Sequence, residues 1–344
     1  MASEIFIIIT ILLILMALGL SYAIGANDET ISPLVGANVL KFKIALIIGG
    51  AATAIGLIFL SQGVAKVIGA EILGPGIKYS VFMLLAVLLS CIIWLIIGSH
   101  FGIPLSSTHS TVGSIFGVLI IYSLFNDITS PATCLNYKVL ATILIGWILS
   151  PIIGFTVSYL LFKVISRGYL SRLKGLNQIE KVEYKFSFLL LAAIVFAEIF
   201  AGGNDGANAT GILYGIYNSE SINSMEYYIL IICCGLFIFL GLFITGRYVI
   251  RSLASQMTNA RPSEGFIVQL STALIIMCCT IFLPLPVSHS HVIVFSILGL
   301  NIAQGKEIDY KVLGKMVVFW ILTFPIAAIL AGSIYFGLII LGYS

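Results

Sequence analysis

The chain has 344 residues, of which 60% are hydrophobic and only 9% are charged, and its mean hydropathy is +1.15. Soluble proteins carry about 25% charged residues, so this composition excludes a water-soluble globular protein. The formal net charge of +3 is too small to indicate a nucleic-acid partner. Apolar runs recur along the whole chain and indicate an all-α polytopic membrane protein embedded in the lipid bilayer.

Ten apolar segments have the composition of membrane-spanning helices, which need about 20 residues. Their approximate limits are 5–24, 44–65, 80–98, 110–125, 138–165, 186–203, 227–250, 267–283, 291–303 and 312–341. The first is interpreted as a membrane helix and not as a signal peptide, because no basic segment precedes it and a polar motif comes directly after it. The fourth and ninth segments are short, and Pro151 and Pro325 are expected to kink the long fifth and tenth.

One polar stretch, residues 167–185, divides the chain near its midpoint. It predicts a first membrane repeat at 1–166, a linker at 167–185 and a second membrane repeat at 186–344. When the loops are assigned alternately to two sides, 3 of the 17 Lys and Arg residues fall on the side of the N-terminus and 14 on the other. Because basic residues mark cytoplasmic loops, we predict a multi-pass protein of the cell membrane with both termini outside and the linker in the cytoplasm.

Two polar motifs occur once in each half. A Gly-x-Asn-Asp box lies at 25–28 and again at 202–205, and a Pro-x-Ser-x-x-His box lies at 104–109 and again at 286–291. We call them the Asn-Asp boxes and the Pro boxes. Their offsets of 177 and 182 are nearly equal, which indicates a duplicated unit. Since each half has five spans, an odd number, the sequence predicts an inverted-topology repeat whose discontinuous or re-entrant half-helices bring the four boxes together.

The Asn-Asp boxes place carboxylates at membrane depth, because Asp28 and Asp205 each follow a long apolar segment. A charge at a helix centre costs about 2.5–3.5 kcal/mol on insertion scales, so such a group is expected to be paired or to hold a cation. The glycines of the boxes are expected to let the backbone leave helical geometry and expose carbonyls. Asn27, Asp28, Asn204 and Asp205 are therefore candidate ligands for sodium or a proton. The alternative is a helix-ending turn with a capping Asp.

The Pro boxes combine a proline with clustered hydroxyls, which predicts a helix start. A half-helix N-terminus carries unpaired N–H groups and a partial positive charge, so it can bind an anion without Lys or Arg. The candidate anion-binding residues are Ser106, Ser107, Thr108, His109, Ser288, His289, Ser290 and His291. All four histidines, His100 included, lie in or beside these boxes. The alternative for each is a structural histidine, and no nearby Cys or carboxylate spacing predicts a transition-metal site.

Two further acids have alternative interpretations. Glu198 lies seven residues before Asp205 and therefore on the same helix face. It is a candidate cation or proton ligand, or else a structural hydrogen-bond partner. Glu29 directly follows Asp28, and it either adds charge to the site or faces the aqueous rim.

The paired Gly-Ala-Asn-Asp boxes resemble the inorganic phosphate transporter family, which includes sodium–phosphate and proton–phosphate symporters and some sulfate permeases. The resemblance covers essentially the whole chain. It implies an inverted repeat, a homodimer and cation-coupled phosphate uptake, with the cation at the Asn-Asp boxes and the anion at Ser106, Ser107, Thr108, Ser288, His289 and Ser290. The usual box continues Val-Ala-Asn. The first copy here continues Glu29-Thr30-Ile31, whereas the second keeps its asparagine, Asn208, as a further candidate cation ligand.

We therefore predict a cation-coupled symporter of inorganic phosphate that works by alternating access. Sodium is the expected cation, held at Asn27, Asp28, Asn204 and Asp205, and no cofactor, enzymatic activity or ATP-binding loop is expected. The alternatives are proton coupling, a sulfate permease of the same family, and an anion channel, which often has basic side chains along its pore. An intramembrane enzyme would not need its boxes duplicated in inverted orientation.

Overall fold

A computed structural model describes residues 2–126, 131–172, 174–218, 222–255 and 260–342. Parts of the three predicted units lie outside the described residues. These parts are residues 1 and 127–130 of the first half, 173 of the linker, and 219–221, 256–259 and 343–344 of the second half. Nearly all of the described chain is helical, and its β-structure is limited to an isolated bridge between Leu73 and Leu135. The predicted all-α class is confirmed.

The described residues form fourteen α-helices joined by short connections. In chain order they are α1 (Ala2–Ala26), α2 (Ser32–Gly36), α3 (Phe42–Leu60), α4 (Gln62–Lys66), α5 (Val81–His100), α6 (Ser107–Phe125), α7 (Tyr137–Gly168), α8 (Leu176–Asp205), α9 (Ala207–Asn218), α10 (Ser224–Ile244), α11 (Arg247–Ala254), α12 (Pro262–Met277), α13 (His289–Gln304) and α14 (Tyr310–Ile340). A π-helical turn follows α4 at Val67–Glu71, and another follows α12 at Cys278–Phe282.

Within the described ranges, nine helical segments are long and apolar enough to cross a membrane. The ninth predicted span, 291–303, is not among them; it corresponds to α13, which has only 16 residues. At 1.5 Å per residue this helix is about 24 Å long, shorter than the ~30 Å hydrocarbon core. Most of its side chains are buried, so α13 is a half-helix enclosed by protein.

Three other predicted segments have different ends in the structure. The second span ends at Leu60, and α4 with its π-helical turn continues the chain. The seventh is divided near Gly246 into α10 and α11. Much of the polar stretch 167–185 is helical, because α7 extends to Gly168 and α8 begins at Leu176. Pro151 and Pro325 lie inside α7 and α14, and both helices continue through them.

Helices of the two halves are interleaved, so the halves are not separate bodies. α6 packs along α14, and α7 packs along α13. α1 likewise packs against α10, and α3 packs against α8. Each of these contacts joins one helix of the first half to one helix of the second. The boxes at the ends of α1 and α8 and at the starts of α6 and α13 are thereby brought to a common centre.

The outward faces of the long helices are apolar. Leu144, Ile148 and Ile152 on α7 are exposed, as are Ile321 and Ile329 on α14. Exposed rows of large aliphatic side chains are costly in water but are the surface that lipid tails cover. The exterior therefore supports a membrane location for the helix bundle.

Candidate functional site

The asparagine of each Asn-Asp box holds the Pro box of its own half. Asn27 Nδ2 donates to the Leu105 carbonyl at 2.6 Å, and the Leu105 N–H donates to Asn27 Oδ1 at 3.3 Å. In the second half, Asn204 Nδ2 donates to the Leu285 carbonyl at 2.9 Å, and the Val287 N–H donates to Asn204 Oδ1 at 3.1 Å. Both asparagines are buried. These bonds fix the non-helical segment that directly precedes each half-helix.

Both Pro boxes open a helix, as the sequence predicts. The Ser106 hydroxyl caps α6 and accepts from the His109 N–H at 3.1 Å. The Ser288 hydroxyl caps α13 and accepts from the His291 N–H at 3.4 Å. Capping occupies these two hydroxyls. The helix N-termini themselves still provide partial positive charge to the region in front of them.

Contacts between the halves join each Pro box to the opposite Asn-Asp box or its neighbour. Ser107 Oγ donates to Asp205 Oδ1 at 2.7 Å. His289 Nδ1 lies 3.4 Å from Glu29 Oε1. Together with the two asparagine contacts, these pairs close a ring that passes through all four boxes, which we call the box ring.

Two further hydroxyls hold the Pro boxes to each other. Thr108 Oγ1 donates to the Val287 carbonyl at 3.0 Å, and Ser290 Oγ donates to the Leu105 carbonyl at 3.4 Å. Asn208 on α9 also lies here, with Nδ2 3.5 Å from Thr108 Oγ1. In this geometry the hydroxyls link the halves, and an anion that used them would have to replace these bonds.

Four carboxyl groups, those of Asp28, Glu29, Glu198 and Asp205, gather around the box ring. Glu198 is fully buried and Glu29 is 2% exposed, so Glu29 lies inside the site and not at an aqueous rim. Neither Lys nor Arg lines the cavity at the centre. Buried carboxylates that lack a positive partner are strongly unfavourable. The arrangement therefore requires protons or metal cations.

The acids on the side of Asp28 have a specific set of partners. Asp28 Oδ1 accepts from the Thr30 N–H at 2.9 Å and from Thr30 Oγ1 at 2.6 Å. The Gln269 amide donates to the Thr30 carbonyl. Glu198 Oε2 accepts from Thr53 Oγ1 at 2.6 Å, while Glu198 Oε1 is buried without a hydrogen-bond partner among the described residues. Such an oxygen is available to a hard cation.

The cavity at the centre of the box ring is small, about 20 Å³. A water molecule needs about 10–15 Å³ by this measure, and a tetrahedral oxyanion needs several times more. The predicted site residues that line the cavity are Asn27, Asp28, Ser107, Asp205, His289 and Ser290. The others form the layer behind: Ser106, Thr108, His109, Glu198, Asn204, Asn208, Ser288 and His291. Entry of an anion therefore requires the boxes to move apart.

His109 and His291, the last residues of the two Pro boxes, place their rings in a row of four aromatic rings. The two imidazole centroids are 4.6 Å apart. The His109 ring is 3.8 Å from Trp147, and the His291 ring is 4.2 Å from Trp320. Neither histidine lines the central cavity, whereas His289 does. The first two therefore pack between the halves, and His289 is the imidazole placed to meet an ion.

Trp147 and Trp320 contact the Pro boxes and are not predicted from the sequence. Trp147 Nε1 donates to the Pro286 carbonyl at 3.1 Å, and Trp320 Nε1 donates to the Pro104 carbonyl at 2.9 Å. Each tryptophan thus holds the Pro box of the opposite half. A signal was present, because each precedes the internal proline of its long helix by four or five residues.

The fourth histidine, His100, lies outside the site. It is exposed at the end of α5, with its ring 5.4 Å from that of Phe101. Within the described residues, no group of three or more His, Cys, Asp or Glu side chains is arranged to hold a metal ion. Any cation at the box ring would therefore rely on asparagine, hydroxyl and carbonyl oxygens in addition to the carboxylates.

The glycines of the Asn-Asp boxes permit close packing and do not unwind the helices. Gly25 and Gly202 lie within α1 and α8. A Cβ added at Gly25 would lie 2.0 Å from the Ile238 carbonyl oxygen, and one added at Gly202 would lie 2.0 Å from that of Thr53. The expectation that these glycines free the backbone is wrong, because both lie within regular helices. Glycine is needed there because the crossing helices leave no room for a side chain.

Comparison with known proteins places the chain among transporters. A family model described as the phosphate transporter family matches residues 24–331. Two relatives named "Probable low-affinity inorganic phosphate transporter" cover nearly all of the chain. The Bacillus subtilis protein is 29% identical over 97% of this chain and 98% of its own length, and the Rhizobium meliloti protein is 27% identical over 94% and 95%. A solved structure of a sodium-dependent phosphate transporter matches the fold with a TM-score of 0.85 and 22% identity, covering 96% of this chain and 99% of that one.

Proposed function

This chain belongs to the phosphate transporter family, and on that premise we propose that it carries inorganic phosphate across the cell membrane together with a cation, with sodium as the leading candidate. The observation that carries the proposal is the box ring, in which Ser107 contacts Asp205 and His289 contacts Glu29 across the two halves. A carboxylate thereby lies beside the N-terminus of each half-helix. Groups that attract an anion and groups that attract a cation share one centre.

Cation coupling is supported by the balance of charge at this centre. The carboxyl groups of Asp28, Glu29 and Asp205 line a cavity that has no Lys or Arg. A phosphate dianion brought to ionised carboxylates would be repelled, since unit charges 4 Å apart interact with about 4 kcal/mol at an effective dielectric constant of 20. Cations that bind at Asn27, Asp28, Asn204 and Asp205, with Glu198 and Asn208 nearby, would remove this repulsion and make anion binding conditional on the ion.

In this proposal the anion binds at the starts of α6 and α13. Backbone N–H groups and hydroxyls there can replace the hydration shell of an oxyanion without a fixed positive charge. Ser107 and Ser290 line the cavity, and Thr108 lies directly behind it. Losing one hydroxyl donor to a charged acceptor costs about 1.5–3 kcal/mol. Alanine at any of these three positions should therefore weaken phosphate binding about ten- to hundredfold.

Alternating access is supported by the smallness of the central cavity, which cannot admit phosphate until the boxes separate. An inverted repeat would supply the two opposed openings, since each half contributes one Asn-Asp box and one Pro box to the same centre. The exchanged packing of α6 with α14 and α7 with α13 fits such a repeat. The outside location of both termini, the cytoplasmic location of 167–185 and the homodimer remain predictions.

The test is uptake of labelled phosphate into proteoliposomes that contain the purified protein, with a sodium gradient and a proton gradient imposed separately. Uptake driven by sodium alone supports the proposal, and uptake driven only by protons would assign the coupling ion to the proton. An excess of unlabelled sulfate that abolishes uptake would indicate a permease for both anions. Phosphate flux that ignores both gradients would contradict coupled symport and favour a channel.

A further inference from the structure

A cleft remote from the boxes collects basic side chains from the ends of three helices. Lys163 and Arg167 come from the last two turns of α7, Arg261 is the N-cap of α12, and Lys306 follows α13. The cleft has a volume of about 700 Å³. All four basic residues belong to the side of the membrane that the sequence predicts to be cytoplasmic.

The positive charge of the cleft is only partly compensated. Among its lining residues the one acid is Glu264. Glu264 Oε2 lies 3.3 Å from Lys306 Nζ and also accepts from the Arg261 backbone N–H at 3.1 Å. Glu183 is a second acid nearby, since it accepts from the N–H and the hydroxyl of the lining residue Ser263. Four positive side chains against these two acids leave two positive charges in excess, and Lys163 and Arg167 have no ion-pair partner among the described residues. Electrostatics therefore favours an anionic ligand.

Exposed aliphatic side chains lie next to lining residues of the cleft in the sequence. Phe162 and Leu170 form part of its lining. Val164, next to Lys163 on α7, is 68% exposed, and Ile302 on α13 is 42% exposed. Basic side chains beside an exposed aliphatic strip mark the level at which headgroups meet acyl chains.

We propose that this cleft binds the phosphate headgroup of an anionic phospholipid, whose acyl chains lie along Val164 and Ile302. Arginine pairs with phosphate through two parallel N–H bonds, and Arg167 and Arg261 contribute two guanidinium groups from different helices. Basic pockets between membrane helices on the cytoplasmic side bind anionic headgroups by this chemistry. Inorganic phosphate offers the same charge but has nothing to place against the aliphatic strip.

The test uses full-length protein purified in detergent and titrated with phosphatidylglycerol or phosphatidylcholine of identical acyl chains, with bound lipid counted by native mass spectrometry. The cleft variant is Arg167→Gln/Arg261→Gln. The control is Arg247→Gln/Arg251→Gln, which removes the same charge from α11 outside the cleft. We expect the cleft variant to bind phosphatidylglycerol about thirtyfold more weakly, from the usual contribution of two basic residues at an anionic surface. The control and phosphatidylcholine binding should stay within about threefold of the wild-type values.

A charge-preserving variant, Arg167→Lys/Arg261→Lys, separates headgroup binding from damage to the fold. It should bind phosphatidylglycerol more tightly than the Gln variant and more weakly than wild type, because charge persists while the bidentate geometry is lost. Equal losses in the cleft and control variants, or equal binding of the two lipids to wild type, would overturn the proposal. Displacement of the lipid by millimolar inorganic phosphate as effectively as by competing phosphatidylglycerol would also overturn it and assign the cleft to free phosphate.

Discussion

The Asn-Asp boxes of α1 and α8 occupy corresponding places, but the chain takes a different course after each aspartate. In both, the asparagine bonds a backbone group of its own Pro box. α1 ends at Ala26, before Asp28, and the chain that follows brings Glu29 and Thr30 into the site. α8 instead runs to Asp205 and continues through Gly206 into α9. The shared asparagine thus holds the Pro box in both halves, and Glu29 adds a carboxyl group where the second half has Gly206.

A second difference between the copies, in the opposite sense, lies along the two helices. Glu198 on α8 and Ser21 on α1 are related by the offset of 177 that relates Asp205 and Asp28. Glu198 accepts from Thr53 on the neighbouring helix, whereas Ser21 donates to the Ala17 carbonyl of its own helix at 3.1 Å. A duplicated frame has therefore acquired a buried acid in one copy and a neutral hydroxyl in the other. Equivalent positions need not have equal roles in binding ions.

The largest expected effects come from the feature that both boxes share. Asp28→Asn and Asp205→Asn should each abolish gradient-driven phosphate uptake while the protein still inserts, because each removes a carboxylate at the centre of the box ring. Uptake into proteoliposomes measures this. Glu71→Gln is the control, since Glu71 is a partly exposed acid paired with Lys66 away from the site. Wild-type transport in either aspartate variant would remove that carboxylate from the coupling mechanism.

The next largest effect tests the difference between Glu198 on α8 and Ser21 at the corresponding position of α1. Glu198→Gln should weaken cation binding about ten- to hundredfold, because Gln can still accept from Thr53 but loses the charge that would face a cation. Ser21→Ala, at the corresponding position of α1, should change it less than twofold. Titration of the cation dependence of uptake distinguishes the two variants. Equal effects at both positions would show that the asymmetry has no part in ion binding.

The sequence predicts the boxes because their signals are local. A proline followed by hydroxyls marks a helix start wherever it occurs, and a carboxylate after a long apolar run is visible without a structure. Whether the Glu29 side chain points into the site or toward water could not be predicted, because its position next to Asp28 is compatible with either orientation. The pairing of Trp147 with Pro286 could not be predicted either, because it spans 139 residues and depends on how the two halves interleave.

The number of membrane spans shows a second limit of the sequence. Residues 291–303 are apolar enough to be counted as a span, yet α13 is a buried half-helix. Lipid tails and a protein interior both select apolar side chains, so hydropathy alone does not separate them. The opposite case is the polar stretch 167–185. Its charged residues predict a linker, yet many of them extend α7 and α8 beyond the apolar parts of these helices.

A smaller effect tests the close helix packing at Gly25 and Gly202, the first glycine of each Asn-Asp box. Gly25→Ala and Gly202→Ala should each destabilise the protein by about 1–3 kcal/mol, because the new methyl group would overlap the backbone of the crossing helix. Unfolding in denaturant, followed by circular dichroism, measures the loss. Gly314→Ala is the matched control, since no atom lies near its added Cβ, and there alanine should be neutral or stabilise α14 by up to about 1 kcal/mol. Tolerance of alanine at Gly25 or Gly202 would contradict the close approach of the helices.

The smallest expected effect concerns the tryptophans that hold the opposite Pro boxes. Trp147→Phe and Trp320→Phe keep an aromatic ring but remove the N–H that donates to the Pro286 or Pro104 carbonyl. One such bond contributes about 0.5–1.5 kcal/mol, so phosphate affinity should fall about two- to tenfold, and by similar amounts in both variants.

The chain's third tryptophan provides the control for this last prediction. Trp94 Nε1 donates to Thr323 Oγ1 at 3.1 Å and touches neither Pro box through that bond. Trp94→Phe therefore removes the same donor from an equally buried ring and should cost similar stability, because a buried acceptor loses its partner in each case. Phosphate affinity should nevertheless remain at the wild-type value in Trp94→Phe. If all three variants lost affinity in proportion to stability, the bonds to Pro104 and Pro286 would serve only folding. A loss confined to Trp147→Phe and Trp320→Phe would instead indicate that the carbonyls before the half-helices must be held for the anion to bind.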